Sequence, residues 1–212
     1  HAKEPVVNPE QVEALFTRED GQFVFARWGR PIAPVVFGVE DETLGMIKGG
    51  LKAVIELAGH DIAETDPELG SNLMIFFLRD WQELLDVRDL AELIPELPTV
   101  VARLEKAAGR QYRAFRFDAA GAVKACFVFL RMDEVMLNIP VDTLVLDQSV
   151  QAILLWSERA FSSTSPLAAL PDGTSVIRPE IADVIRAAYH PTLPSAPRDP
   201  SHALRLYARL SG

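Results

Sequence analysis

The run Ser71–Leu78, SNLMIFFL, carries only apolar side chains from Leu73 onward and is bounded by Gly70 and Arg79. A strand with no polar face has no side to turn to water, so it belongs in the centre of a sheet and is buried on both faces. Upstream lies a second β-rich run, Ala33–Val39 (APVVFGV). Between the two, apolar residues fall at Leu44, Ile47, Leu51, Val54, Ile55 and Ala58. Their spacing of three or four is the stripe of one helix face. Asp41 and Thr43 are N-cap candidates, and Gly59 suits the C′ position. Strand, helix and strand in this order predict a parallel crossover of right-handed sense. Gly49-Gly50 inside the helix costs about 1 kcal/mol per residue against alanine, which predicts close packing of a neighbouring element there.

The rest of the chain adds further elements. FVFARW, Phe23–Trp28, reads as a strand closed by Gly29-Arg30-Pro31. DWQELLDVRDLAELI opens a helical excursion at Asp80, which Pro95 and Pro98 interrupt before Val100–Ala108 resumes it. QYRAFRFDAAGAVKACFVFLR reads as a hairpin turning at Asp118–Gly121. EVMLNIPV reads as one more edge strand, and Asp142–Phe161 as a long apolar helix. A polar loop, SSTSPLAALPDGTS, follows. Pro179–Pro191 reads as a helix with proline at N1, and ALRLYARL as a short final helix after a proline-rich stretch. The expected class is α+β: a twisted mixed sheet with a crossover helix, a long core helix and a helical C-terminal extension. The expected divisions are an N-terminal lead-in over 1–22, a single α+β domain over 23–193, and a proline-rich segment with a short helix packed on it over 194–212.

Charge narrows the partners. Between Glu40 and Glu96 there are fourteen acidic and four basic residues, a net −10 in a chain whose total is −9, so the rest is about neutral. No cluster of Lys and Arg exists to displace counterions from a phosphate backbone, which argues against nucleic acid. No apolar run reaches the ~18 residues of a membrane span. The single cysteine, Cys126, reads as a small core residue and excludes an intrachain disulfide and cysteine-based zinc modules. His1, His60, His190 and His202 offer no pair at i,i+4. His60, just past a helix C′ glycine, and His190, at a helix end, suit the dipole there as cations. Phosphate-binding glycine signatures and the G-x-S-x-G elbow are absent, and no catalytic residue, metal-ligand set or cofactor is assigned.

One segment stands out chemically. In LVLDQSVQAILLW, Asp147, Gln148 and Gln151 form a narrow polar strip on an otherwise apolar helix. Such a strip needs hydrogen-bond partners once buried, and the loop over 162–175 is the expected source.

The order of elements is similar to the layout of the zincin metallopeptidases, whose helix after the last sheet strands carries H-E-x-x-H. That spacing sets two zinc ligands and a general base on one helix face. The matching window here is DQSVQ, Asp147–Gln151: both histidines are missing and an amide stands at the base position. From Arg27 to Leu193 the chain also resembles an uncharacterised family of exported proteobacterial proteins, a domain of unknown function. Its segment like C-L-x-E-E-L-T-Q-A-L-G-L matches LVLDQSVQAILLW, with Asp147 and Gln148 at the acid positions and Gln151-Ala152 at Q-A. Its L-Y-D-P-x-L matches AAYHPTL through Tyr189 and Pro191, and RWGRPI, Arg27–Ile32, matches its entry strand. The departures are Gln148 for the second acid, Leu144 for the family cysteine and Leu154-Leu155-Trp156 for L-G-L.

The resemblance implies an exported, periplasmic protein and no known activity. The chain opens at His1, and the expectation is a mature chain whose export signal has been removed. Asp147, Gln148, Gln151, Tyr189 and His190 are the ligand-cleft candidates. The leading expectation is a non-catalytic protein binding an unidentified small ligand or protein on a degenerate zincin-like scaffold. The alternative is a metal-dependent hydrolase with atypical ligands, such as Asp147 with Glu158 or His190. A third is an interaction protein whose acidic stretch Asp80–Glu96 docks a basic surface.

Overall fold

The computed structural model describes residues 7–210. A four-stranded mixed sheet organises them. Its strands are β1 (Pro34–Phe37), β2 (Leu73–Leu78), β3 (Gln111–Phe117) and β4 (Val123–Arg131), in the order β1-β2-β4-β3. β2 pairs in parallel with both β1 and β4, and β3 closes the far edge antiparallel to β4. The class is α+β, as the change of hydrophobic period implies.

Both faces of the sheet are covered, as the apolar run in β2 requires. Leu73 and Ile75 of β2, with Cys126, Val128 and Leu130 of β4, enter one core. Helices α2 (Asp41–Ala58), α6 (Val141–Ile153) and α7 (Pro179–Ala188) close it. The alternate residues Phe76, Leu78, Phe127 and Phe129 enter a second core on the opposite face. A 3₁₀ turn (Trp81–Asp86) and the helices α3 (Leu90–Leu93) and α4 (Leu97–Lys106) cover that side. This is the period-two alternation of a pleated strand, apolar on both faces.

Helix α2 ends as its sequence directs, with Gly59 left-handed at φ 70. Its start differs: Glu40 is the N-cap, and no side chain caps it. Of the two mid-helix glycines only Gly50 marks a close approach. A Cβ there would lie 2.4 Å from Val145 Cγ1, whereas at Gly49 it would meet nothing within 4 Å. Helix α6 thus lies against α2 at Gly50. A polar knot pins the approach to β1: buried Asn72 accepts from Ala33 N at 2.7 Å and donates to Asp66 at 2.9 Å. Burial alone would raise the Asp66 carboxyl. Donation from Leu69 N, Asn72, Glu68 N and the Arg30 guanidinium outweighs it and holds the pKa at about 2.

Several expectations are corrected. FVFARW is extended but forms no strand ladder, because its backbone bonds are shared among separate segments: Val24 N to Phe16 O, Arg27 N to Ser195 O, and Val123 N to Arg27 O. EVMLNIPV opens not as an edge strand but as a short helix, α5 (Glu134–Leu137), nucleated by Asp133, whose side chain accepts from Met136 N. Pro98 does not break a helix; it sits in the first turn of α4, where no intrahelical N–H is lost. The long apolar helix stops at Ile153 rather than Phe161. Side-chain donors take its last carbonyls: Trp156 Nε1 on Val150 O, Trp28 Nε1 on Ala152 O, and Tyr189 Oη on Ile153 O at 2.6 Å. The loop after it contains a small antiparallel ribbon, β5 (Leu167–Ala169) with β6 (Ser175–Ile177).

The first helix, α1 (Pro9–Ala14), has a complete capping box between Asn8 and Gln11. It packs against α8 (His202–Ala208), which also rests on α7. Among the described residues no helix is long and apolar enough to cross a membrane.

His202 of α8 is 1% exposed, lies 4.5 Å from the Phe25 ring, and neither ring nitrogen has a hydrogen-bond partner among the described residues. Burial, with Arg205, Arg27 and Arg209 around it, lowers its pKa from 6.5 to about 4. The unfolded chain therefore binds the proton first, and stability present above pH 6.5 is lost as the pH falls toward 4. His202→Phe is expected to gain roughly 1–2 kcal/mol at neutral pH by removing the unpaired polar atoms and to flatten this slope, both read from urea melts across pH. The same melts at neutral pH separate the glycines. Gly49→Ala should stabilise by about 1 kcal/mol, whereas Gly50→Ala should cost about 1–3 kcal/mol through overpacking on the stiff Val145.

Candidate functional site

On β3, Gln111, Arg113 and Phe115 share one face by the period-two rule, and that face looks toward α6. On α6 the strip Asp147, Gln148 and Gln151 faces back. The two sets meet. Arg113 Nη1 donates to Gln148 Oε1 at 2.8 Å and to Gln111 Oε1 at 3.0 Å, and Nη2 donates to Gln151 Oε1. Gln148 Nε2 closes the ring on Gln111 Oε1 at 2.9 Å, and Gln151 Nε2 donates to Asp147 Oδ1 at 2.9 Å. Gln148 is only 4% exposed, so a mid-helix amide that looked anomalous on an apolar helix is satisfied. Its partners come from the edge strand and not from the loop over 162–175, which corrects that expectation.

The electrostatics are unusual for a half-buried arginine. Every group that Arg113 touches by hydrogen bond is a neutral amide oxygen; Asp147 is reached only through Gln151. Burial lowers the Arg113 pKa, yet a guanidinium keeps its proton at any ordinary pH. Burial likewise raises the Asp147 carboxyl, with Gln151 and Arg113 pulling it back only in part. Amide dipoles orient the cation without cancelling its charge, and its remaining N–H donors have no hydrogen-bond partner among the described residues.

Arg113, Gln111 and Gln151 form part of the wall of an open cleft of about 420 Å³. Trp156, Phe161 and Phe115 supply its apolar surface. Trp156 is braced by a stacked Phe16 at 5.3 Å and meets Phe161 edge-on at 5.1 Å. At the rim Arg18 and Glu158 pair at 3.6 Å. Ser157 also lines the cleft, but its hydroxyl donates to Thr17 O at 2.8 Å, so no base stands ready to activate it. Among the described residues no group of three or more His, Cys, Asp or Glu side chains could hold a metal ion. The chemistry on offer is a fixed cation beside aromatic walls, which suits holding an anion with an apolar body.

Of the sequence candidates, Asp147, Gln148 and Gln151 come together. Tyr189 and His190 do not join them and line no part of this cleft. Tyr189 Oη accepts from Trp28 N at 3.2 Å while donating to Ile153 O, and burial raises its pKa. Arg27 lies over its ring at 5.7 Å and takes the carbonyls of Ala188, His190 and Leu193. These residues fasten the ends of α6 and α7. The exposed side chain of His190 bonds only Thr192 among the described residues, through Nδ1 at 2.7 Å to Oγ1. His60 donates from Nε2 to Arg30 O at 2.7 Å, and burial lowers its pKa, which disfavours the helix-end cation. Arg113 escaped the sequence reading, although its signal is present: a charge at an inward position of QYRAFRF.

Because the folded-state pKa of Asp147 is raised, the folded protein holds that proton more tightly, and the carboxylate costs stability at neutral pH that is recovered as the pH falls. Asp147→Asn is expected to be no less stable than the parent at pH 7. It should also lack the parent's gain on acidification toward the carboxyl's ordinary 3.8, as chemical denaturation at a series of pH values would measure. No family model, curated protein or solved structure matches the chain.

Proposed function

We propose that this chain is a non-catalytic, exported binding protein on a zincin-like scaffold, and that its cleft holds a small organic carboxylate with an apolar body. The observation that carries the reading is the clamp on Arg113. At the stretch where the resembled metallopeptidases place two ligands and a base, Gln148 and Gln151 stand instead, and with Gln111 of β3 they fix a guanidinium. An arginine held flat by neutral acceptors is pre-organised for a carboxylate, and pre-organisation lowers the entropy lost on binding. Trp156 and Phe161 would cover the ligand's apolar part. The periplasmic placement rests on the family resemblance of LVLDQSVQAILLW and AAYHPTL.

Thermal shift and calorimetry with phenylpropionate, acetate and phosphate test this. Phenylpropionate should stabilise the protein by about 2.7 kcal/mol at a hundredfold excess over Kd, acetate and phosphate less, and Arg113→Gln should remove the effect. Indifference of the parent to all three anions would sink the proposal. Saturable stabilisation by Zn²⁺ or Mn²⁺ that vanishes in Asp147→Ala would favour a metal-dependent hydrolase instead.

A further inference from the structure

A second cavity lies on the first core's side of the sheet, away from the Arg113 cleft, at the carboxyl ends of the three parallel strands. It measures about 650 Å³. The residues that follow β1, the end of β2 and the residue after β4 form its floor; α5 and the first turns of α6 form a wall. The volume falls within the ~300–1,000 Å³ of small-molecule pockets.

Its lining is apolar apart from two side chains, Thr43 and Arg79. Met132 and Met136 contribute unbranched side chains that adjust to the shape of an occupant. Leu137 at 67% and Val141 at 36% exposure stand open to solvent at the edge, which is costly unless something covers them. Among the described residues Arg79 is the only charged one lining the cavity. Among the described residues it makes no ion pair; only its backbone N–H is engaged, by Glu83. A largely apolar, half-open cavity with one cation that makes no ion pair among the described residues matches a molecule that has one long apolar chain and one negative head.

We propose that this cavity is a binding site for a single-chain amphiphile with a carboxylate head, of the fatty-acid type, with the chain between β2, β4 and α6 and the head at Arg79. The proposal stands apart from the Arg113 cleft and does not depend on it.

Displacement of a fluorescent apolar probe by octanoate, decanoate and dodecanoate, each below its micelle concentration, is the test. Affinity should rise roughly tenfold for each added pair of methylenes, as burial of CH₂ groups requires. Arg79→Gln should weaken dodecanoate by up to roughly fivefold, the size of an exposed ion pair, and leave dodecanol unchanged. Leu137→Glu, at an exposed position the fold tolerates, should abolish dodecanoate binding by setting a carboxylate at the mouth. Three results each overturn the proposal: no dependence on chain length, dodecyltrimethylammonium binding as tightly as dodecanoate, or retained binding in Leu137→Glu. So does a concentration-dependent dimer that Leu137→Glu dissolves, since the occupant would then be a second copy of this chain.

Discussion

The approach of α6 to α2 at Gly50 sets the geometry of everything on that face of the sheet. With no side chain at Gly50, Val145 seats directly on the α2 backbone. Seated there, α6 packs against the face of β2 and β4 formed by Ile75 and Leu130. That depth fixes the roll of the helix. Leu144, Val145 and Ile153 turn to the core, and Asp147, Gln148 and Gln151 turn to the edge strand. An alanine at position 50 would ask either the helix to lift or Val145 to leave its rotamer, and interiors packed like organic crystals absorb neither cheaply.

The second constraint is electrostatic. A guanidinium carried inward on β3 must find acceptors, and a carboxylate in direct contact would have neutralised it. Amides satisfy hydrogen-bond geometry while leaving the field of the cation intact, in surroundings where that field is less screened than in water. The raised pKa of Asp147 belongs to the same arrangement: Asp147 is held back behind Gln151, and its burial costs more than its distant neighbour Arg113 returns. The contrast with Asp66 is instructive. There four donors converge on one buried carboxylate and hold it ionised down to about pH 2. The same residue type is a structural anchor in one place and a reluctant charge in the other, according to how many donors reach it.

Hydrophobic period carried most of the fold. The two-sided burial of β2, the crossover helix with its Gly59 terminus, the hairpin of β3 and β4, and α7 with its leading proline all follow from patterns within one segment. What the pattern missed was decided between segments. FVFARW has strand-like residues, yet its backbone groups are claimed by residues 16, 123 and 195, so no ladder forms. The helix expected to reach Phe161 is cut at Ile153 because Trp28, Trp156 and Tyr189 seize its carbonyls, and two of those three come from distant segments of the chain. The polar strip was legible as an anomaly on α6. Its partner was not, because matching Gln148 to Arg113 requires knowing which edge of the sheet the helix crosses.

Cys126, the single cysteine, sits on β4 with no exposed surface, and burial pushes its thiol up to about 12. A thiol so rarely ionised and so thoroughly covered is inert to alkylating agents and oxidants while the sheet is intact. The molecule therefore carries its own clock: any modification of that sulfur dates an opening of the central sheet, and its rate under native conditions measures how often the strands part.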